Sequence, residues 1–237
     1  MMFTLGLSMA RLLWTGAFGW FIQQHMRIPL FLATLVLIGL GAYEFVRGVR
    51  EEENIPASAK KSRAPRVGWL MVLPVLVLIS VAPTGLGAAA AERVDAFVPV
   101  ERDDVFETID FSQGNVELRV TDFVNRAVWD EDRSLEGETV RLEGLVVNDP
   151  DVPDGFLLTR FLVSCCAADG VPVQVAIRDT NLALEDDTWV VADVQWRVPD
   201  IPYSELGTIA WNVEADLVSL TVDPDPPTDG YESPYDD

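Results

Sequence analysis

The chain has 237 residues and a formal net charge of −21 at pH 7, and this charge is divided unevenly along it. Residues 1–91 carry eight Lys/Arg and four Glu, net +4, whereas residues 92–237 carry nine Arg and thirty-four Asp/Glu, net −25. The acidic part has no lysine, which excludes a nucleic-acid partner because phosphate binding requires clusters of basic side chains. The two cysteines, Cys165 and Cys166, are adjacent, which excludes the disulfide framework of small secreted domains.

Three apolar segments, at about 2–22, 28–46 and 67–86, predict transmembrane helices, since each approaches the roughly 20 residues needed to cross a bilayer. They form an anchor region, 1–91, that would make the chain a multi-pass protein of the cell membrane. The basic loop 47–66 is expected in the cytoplasm, which places everything after Leu86 outside it. We expect Ala88 to Ala91 to be a flexible linker, with a signal-peptide cleavage site as the alternative.

The rest of the chain predicts an acidic β domain at 116–222, after a linker at 92–115 and before a disordered acidic tail at 223–237. A short strand at Val116 to Val120 precedes a helix at Asp122 to Asp130, with Asp122 as its N-cap. Alternating apolar residues bounded by turn residues predict five further strands. Five short strands favour a small OB-like barrel, with a β-sandwich as the alternative. The predicted strands are Thr139 to Val147, Gly155 to Ser164, Val171 to Arg178, Thr188 to Trp196 and Ile209 to Thr221.

Several local patterns occur in order along nearly the whole chain. They are Arg11-Leu12-Leu13-Trp14-Thr15-Gly16-Ala17, Val67-Gly68-Trp69-Leu70, Leu73-Pro74-Val75, Arg126-Ala127, Trp129-Asp130, Leu158-Thr159-Arg160, Ser164-Cys165-Cys166-Ala167-Ala168-Asp169 and Asp187-Thr188-Trp189-Val190. Together they resemble the uncharacterised permease-subunit family typified by YcgQ. The resemblance implies a membrane subunit that accompanies a multi-spanning permease similar to arsenical permeases. Many relatives carry histidines in the loop before the third helix, but residues 51–66 have none, so we expect no metal handling there.

The Cys165–Cys166 pair is the strongest candidate for chemistry, with Asp169 as a third ligand. Thiolates bind soft metal ions, and an envelope location also permits oxidation. Adjacent side chains of a strand point to opposite faces, so both sulfurs reach one ion only if the strand ends there, and Ala167-Ala168-Asp169-Gly170 predicts such a turn. Three interpretations stay open: apolar packing of the cysteines, binding of a metal ion, and redox or vicinal-disulfide chemistry.

Three further residues are candidates for partner contacts. Arg11 lies near the middle of the first apolar segment, where a charge costs at least ~2.5 kcal/mol, so it either faces a partner or extends to the cytoplasmic edge. Gly16 would allow close helix packing beside it. Arg160 could hold an anion or pair with Asp169, although a solvated ion pair is the more common outcome.

Catalytic constellations are missing, because the β domain has no histidine and the chain has no P-loop, so we expect no enzyme activity. The sequence favours an accessory subunit of a two-component permease, in contact with the bilayer and a multi-spanning partner. The one cofactor it allows is a thiol-bound metal ion. The alternatives are an envelope redox or metal-sensing protein that acts without a transporter, and a membrane-anchored adaptor.

Overall fold

The computed structural model describes residues 6, 10–11, 13–14, 21–53, 86–93, 106–114, 116–180, 182–200, 213–223 and 231–234. The chain forms two compact units, Met1–Gly85 and Leu86–Asp237. The second unit therefore begins at Leu86, and it takes in residues that the sequence assigns to the anchor and to a linker.

The first unit contains one long helix, α1 (Arg27–Glu53), directly after a 3₁₀ turn at Gln24–Met26. An 18-residue window of α1, Arg27–Glu44, has a mean hydropathy of 1.5 and is only 6% buried, so its length and composition suit a membrane span. The helix continues past the predicted end at residue 46 because the Arg and Glu residues that follow are good helix formers. The length of the apolar stretch limits how much of α1 can lie in a membrane, but the helix itself extends beyond that stretch.

The other two predicted spans lie mostly outside the described residues. Within the first of them, Gly6, Ala10, Arg11, Leu13 and Trp14 are helical. A Cβ on Gly6 would collide with Ile38 Cγ1, so the chain around Gly6 packs closely against α1, as small residues allow between helices. The third span falls outside the described part except for Leu86. The described residues thus hold one helix long and apolar enough to cross a membrane, and a three-span anchor stays a prediction.

The second unit begins with short elements that precede its barrel. They are α2 (Ala88–Ala91), a 3₁₀ turn at Phe111–Gln113, β1 (Val116–Glu117) and α3 (Val120–Trp129). The predicted strand at 116–120 is thus too long and the predicted helix starts too late. Asp122 is not the N-cap, which is Arg119; the Asp122 carboxylate instead pairs with the Arg119 guanidinium at 2.7 Å.

Five strands form a closed barrel, which confirms the prediction of a small five-stranded barrel over a sandwich. They are β2 (Thr139–Val147), β3 (Phe156–Leu162), β4 (Val171–Arg178), β5 (Trp189–Trp196) and β6 (Val213–Val222). The strand order is β2-β5-β6-β4-β3, and β3 pairs again with β2. Because β2, β3 and β4 are consecutive antiparallel strands and β5 returns beside β2, the barrel is a Greek key.

Alternation along the strands produces two hydrophobic clusters. The barrel core fills the interior and contacts α3; on β2 and β3 it takes the side chains of Val140, Leu142, Val146, Phe156 and Leu158. The outer cluster covers the opposite face; it consists of Ala88, Ala91, Leu145, Val147, Val152, Leu157, Phe161, Val163, Ala176 and Tyr231. As a result β3 is buried on both faces.

Two segments predicted to be unstructured take part in this packing. Tyr231–Glu232 forms a strand, β7, that pairs in parallel with Phe161 and Leu162 of β3, so the prediction of a disordered tail is wrong for these residues. The Tyr231 ring packs in the outer cluster, and burial of its apolar area stabilises the segment although the neighbouring residues are polar. Ala88 and Ala91 are likewise buried, so the predicted flexible linker is a docked helical turn.

Candidate metal site

The two cysteines lie just beyond the end of β3, in an irregular segment. The Val163 amide, the first after the strand, donates a hydrogen bond to the Glu232 carbonyl at 2.9 Å. Cys166 is extended, with φ −155°, and is followed by a 3₁₀ turn at Ala167–Asp169. The predicted turn is confirmed. Because the cysteines are outside a regular strand, alternation no longer forces their side chains apart.

Asp169 organises this turn through its carboxylate. Its Oδ1 accepts a hydrogen bond from the Ser164 amide at 2.9 Å. Its Oδ2 accepts from the amides of Cys165 and Cys166 at 2.8 and 3.3 Å. The Asp169 amide donates to the Cys166 carbonyl at 2.9 Å, which closes the turn. The chain therefore folds back on itself so that the carboxylate lies beside both thiols.

The protonation of the site follows from these contacts. Hydrogen bonding to the Asp169 carboxylate, and secondarily to Cys166 and through burial, raises the pKa of the Cys165 thiol to about 12. Burial alone would raise the pKa of Asp169, but hydrogen bonds from Cys165, Ser164 and Cys166 outweigh it and leave that pKa below its ordinary value. At neutral pH the site thus pairs a thiol with a carboxylate. A protonated thiol is a weak nucleophile, and a cation must displace its proton to bind.

The geometry can accommodate one metal ion. One Sγ from each cysteine and a carboxylate oxygen of Asp169 all lie within 4.8 Å of one another. Two metal–sulfur bonds of about 2.3 Å span at most about 4.6 Å, which is similar to this limit on the separation of the ligand atoms. Both cysteines are unoxidised and half-buried, so an ion can enter from solvent. Since the Asp169 oxygens already accept three amides, two sulfurs are the principal ligands.

Arg160 lies within β3, which ends at Leu162, before the cysteine turn. Arg160 is 9% exposed on β3, and its Cζ lies 5.1 Å from the centroid of the Trp189 ring. Its charge also acts on Glu143, where burial raises the carboxyl pKa and Arg160 opposes the rise. The amides that donate to the Asp169 carboxylate are those of residues 164–166, and the ion pairs between described residues do not join Arg160 to Asp169.

Of the two residues predicted to contact a partner in the membrane, the structure describes one. Arg11 is helical and exposed, whereas Gly16 lies outside the described residues. No contact of either residue with a partner follows from these placements.

Two segments that support the cysteine turn, at Leu86 and at Tyr231–Glu232, are not predicted from the sequence. Leu86 packs against Gly170, because a Cβ on that glycine would collide with Leu86 Cδ1. The Tyr231 hydroxyl accepts a hydrogen bond from the Leu86 amide at 3.3 Å. Tyr231 and Glu232 stand among Asp, Pro, Gly and Ser residues, and two residues are too few to show the alternation that predicts a strand.

Part of the second unit matches a known protein family. Residues 112–205 match the DUF1980 C-terminal domain, an uncharacterised family. The match covers α3, the cysteine turn and four of the five barrel strands, and it ends before β6. No curated protein matches the chain. No solved structure matches it either.

Proposed function

We propose that this chain is the accessory subunit of a membrane permease, and that its barrel binds a soft metal or metalloid ion through Cys165 and Cys166. The observation that carries the proposal is the cluster of two sulfurs and one carboxylate oxygen within 4.8 Å. Thiolates select soft or borderline ions such as Cu(I) and Zn(II). A site with two sulfurs leaves coordination positions open, which suits transfer of an ion to a partner better than permanent retention.

Binding exchanges protons for the ion. Each cysteine that becomes a ligand loses its thiol proton, so a divalent cation bound by both sulfurs releases two protons to solvent. The neighbouring Asp169 carboxylate and the net charge of −25 on residues 92–237 favour a cation over an anion at this turn. The site therefore recognises ions by sulfur affinity and attracts them by charge.

The membrane topology forms part of the same proposal. The apolar, exposed helix α1 supports membrane association. The basic loop at 47–66 and the two other apolar segments support a multi-pass anchor with the barrel outside the cytoplasm. Arg11 and Gly16 are the candidates in the first apolar segment for contact with a multi-spanning permease.

The barrel architecture supports a docking role beside ion binding. A five-stranded Greek-key barrel is the architecture of OB domains, which bind oligonucleotides and oligosaccharides on one strand face and its loops, so such a barrel offers a surface on which a partner can dock. We infer that the barrel docks on or gates the permease from the extracytoplasmic side. The permease, rather than a nucleic acid, is the expected partner because the barrel is acidic.

Metal titration of the purified full chain in detergent tests the ion-binding part. We expect Cd²⁺ to produce a thiolate charge-transfer absorption that saturates at one ion per chain, and Cys165→Ser with Cys166→Ser to abolish it. Asp132→Asn, a change to an exposed acidic residue away from the turn, is the control and should bind normally. A saturable signal that survives the double replacement would refute the assignment, and so would loss of both thiols to a disulfide under reducing-agent-free conditions without any ion binding.

Function in cells tests the permease part. The double cysteine variant should abolish the transport or metal-resistance phenotype at an unchanged protein level, and the chain should co-purify with a multi-spanning permease. A well-accumulated double variant with full activity would show that the cysteines only pack. Failure to recover a permease would instead favour a sensor or an adaptor.

A further inference from the structure

The segment that connects the anchor to the barrel docks directly on the cysteine turn. Leu86 is the first residue of the second unit, and its side chain occupies the space that a Cβ on Gly170 would need. Gly170 follows Asp169, the residue that organises the turn. Contact between Leu86 and Gly170 therefore joins the start of the barrel unit to the candidate metal site, one residue from a proposed ligand.

Specific hydrogen bonds hold this connecting segment, Leu86–Arg93, in place. The Asp187 Oδ1 atom accepts the Ala88 amide at 2.6 Å, and the Tyr231 hydroxyl accepts the Leu86 amide at 3.3 Å. Asp187 adopts a left-handed backbone conformation, with φ +64°. Its amide donates a hydrogen bond to the Val146 carbonyl at 3.0 Å, which attaches it to β2. The segment is thus bound to the barrel at defined points.

The cysteine turn shares one of these supports. The amide of Val163 donates to the carbonyl of Glu232 at 2.9 Å, next to Tyr231, whose hydroxyl holds Leu86. The turn and the connecting segment therefore meet twice, at Gly170 and through β7. Closely packed interfaces convert small shifts into discrete changes of contact because they cannot deform continuously.

We propose that ion binding at Cys165 and Cys166 is coupled to release of the connecting segment Leu86–Arg93 from the barrel. This inference rests on the ion-binding function proposed above. The ion takes the place of the thiol proton, so the hydrogen bond from the Cys165 thiol to Asp169 is lost, and Gly170, which follows Asp169, shifts relative to Leu86. Leu86 then loses its packing, and occupancy of the site is transmitted along the chain toward the anchor.

Hydrogen exchange of the full chain in lipid nanodiscs tests the coupling. The amides of Ala90, Ala91 and Glu92 are protected by hydrogen bonds to Gly87 and Ala88. With saturating Cd²⁺ we expect the peptide covering Leu86–Arg93 to exchange at least about fivefold faster, the lower end of usual coupling between two sites. The variant Cys165→Ser with Cys166→Ser should show no response to Cd²⁺.

A glycine substitution gives a second, ion-independent readout. Gly170→Ala should release Leu86 and speed exchange of the same peptide without Cd²⁺. Because coupling is reciprocal, this variant should also bind Cd²⁺ more tightly than the unmodified chain. Gly39→Ala is the matched control, since nothing lies within 4 Å of the added Cβ, and it should change neither property.

The outcomes separate the two proposals. Cd²⁺ binding to the thiols with unchanged exchange of Leu86–Arg93 overturns the coupling and leaves the ion-binding function intact. An absence of thiol-dependent Cd²⁺ binding overturns the proposed function and the coupling with it. Faster exchange in Gly170→Ala together with a lower Cd²⁺ affinity would also overturn the coupling, because it has the opposite sign.

Discussion

The barrel core and the outer cluster contain the same kinds of buried side chain, but they are assembled differently. The core is enclosed by five consecutive strands and α3. Each of these elements is long enough to show a periodic spacing of apolar residues in the sequence. The outer cluster is closed by two short pieces, Ala88–Ala91 and Tyr231–Glu232. The difference indicates that the core determines the fold, whereas the outer cluster determines how the cysteine turn is held.

Two adjacent leucines on β3 lie in different clusters, so the effects of substituting them compare the two clusters directly. Leu158 lies in the barrel core at 0% exposure and Leu157 in the outer cluster at 2%. We expect Leu158→Ala to lower the free energy of unfolding by about 4 kcal/mol and Leu157→Ala by about 2 kcal/mol, because a short docked segment can collapse into a cavity more easily than a closed barrel. Urea unfolding of the full chain in detergent measures both. Equal losses would show that the outer cluster is as rigid as the core.

Glu232 provides a smaller test, at the edge of the outer cluster. Its carboxylate accepts the Val120 and Thr121 amides of α3 at 2.7 and 2.9 Å, at the positive end of the helix. We expect Glu232→Gln to cost about 1 to 2 kcal/mol through loss of the charged cap. Glu131→Gln, at an exposed position beyond the end of α3, is the control. If both variants unfold at the same urea concentration, the tail contributes no capping energy.

The smallest expected effect concerns Asp169 and depends on pH. Its pKa is below its ordinary value, so its stabilisation is present above about pH 4, the usual aspartate range, and is lost as pH falls through the lowered pKa. Asp169→Asn should therefore cost about 1 kcal/mol at pH 7 and progressively less in acid. Unfolding curves from pH 7 to pH 2 measure this convergence. A difference that stays constant over that range would contradict a charge-dependent role.

The sequence predicts the barrel well because its strands carry period-two alternation. Thr139–Val147 and Val171–Arg178 begin and end where their patterns predict. The sequence does not predict the start of α3, because the helix N-terminus is capped by Glu232 rather than by a nearby side chain, and capping rules consider only neighbouring residues. Ala167-Ala168-Asp169-Gly170 predicts the cysteine turn, but the contact of the turn with Leu86 joins residues far apart in the chain and leaves no local pattern in the sequence.

The cap of α3 also has a consequence for biosynthesis. Val120 and Glu232 are 112 residues apart. At about 5 to 20 residues per second, the ribosome adds Glu232 roughly 6 to 22 s after Val120. During that interval the helix N-terminus, the end of β3 and the cysteine turn lack their final support. The nascent chain therefore passes through a stage in which both thiols are made but the pairing of β3 with Tyr231–Glu232 and the Val163–Glu232 hydrogen bond are still absent.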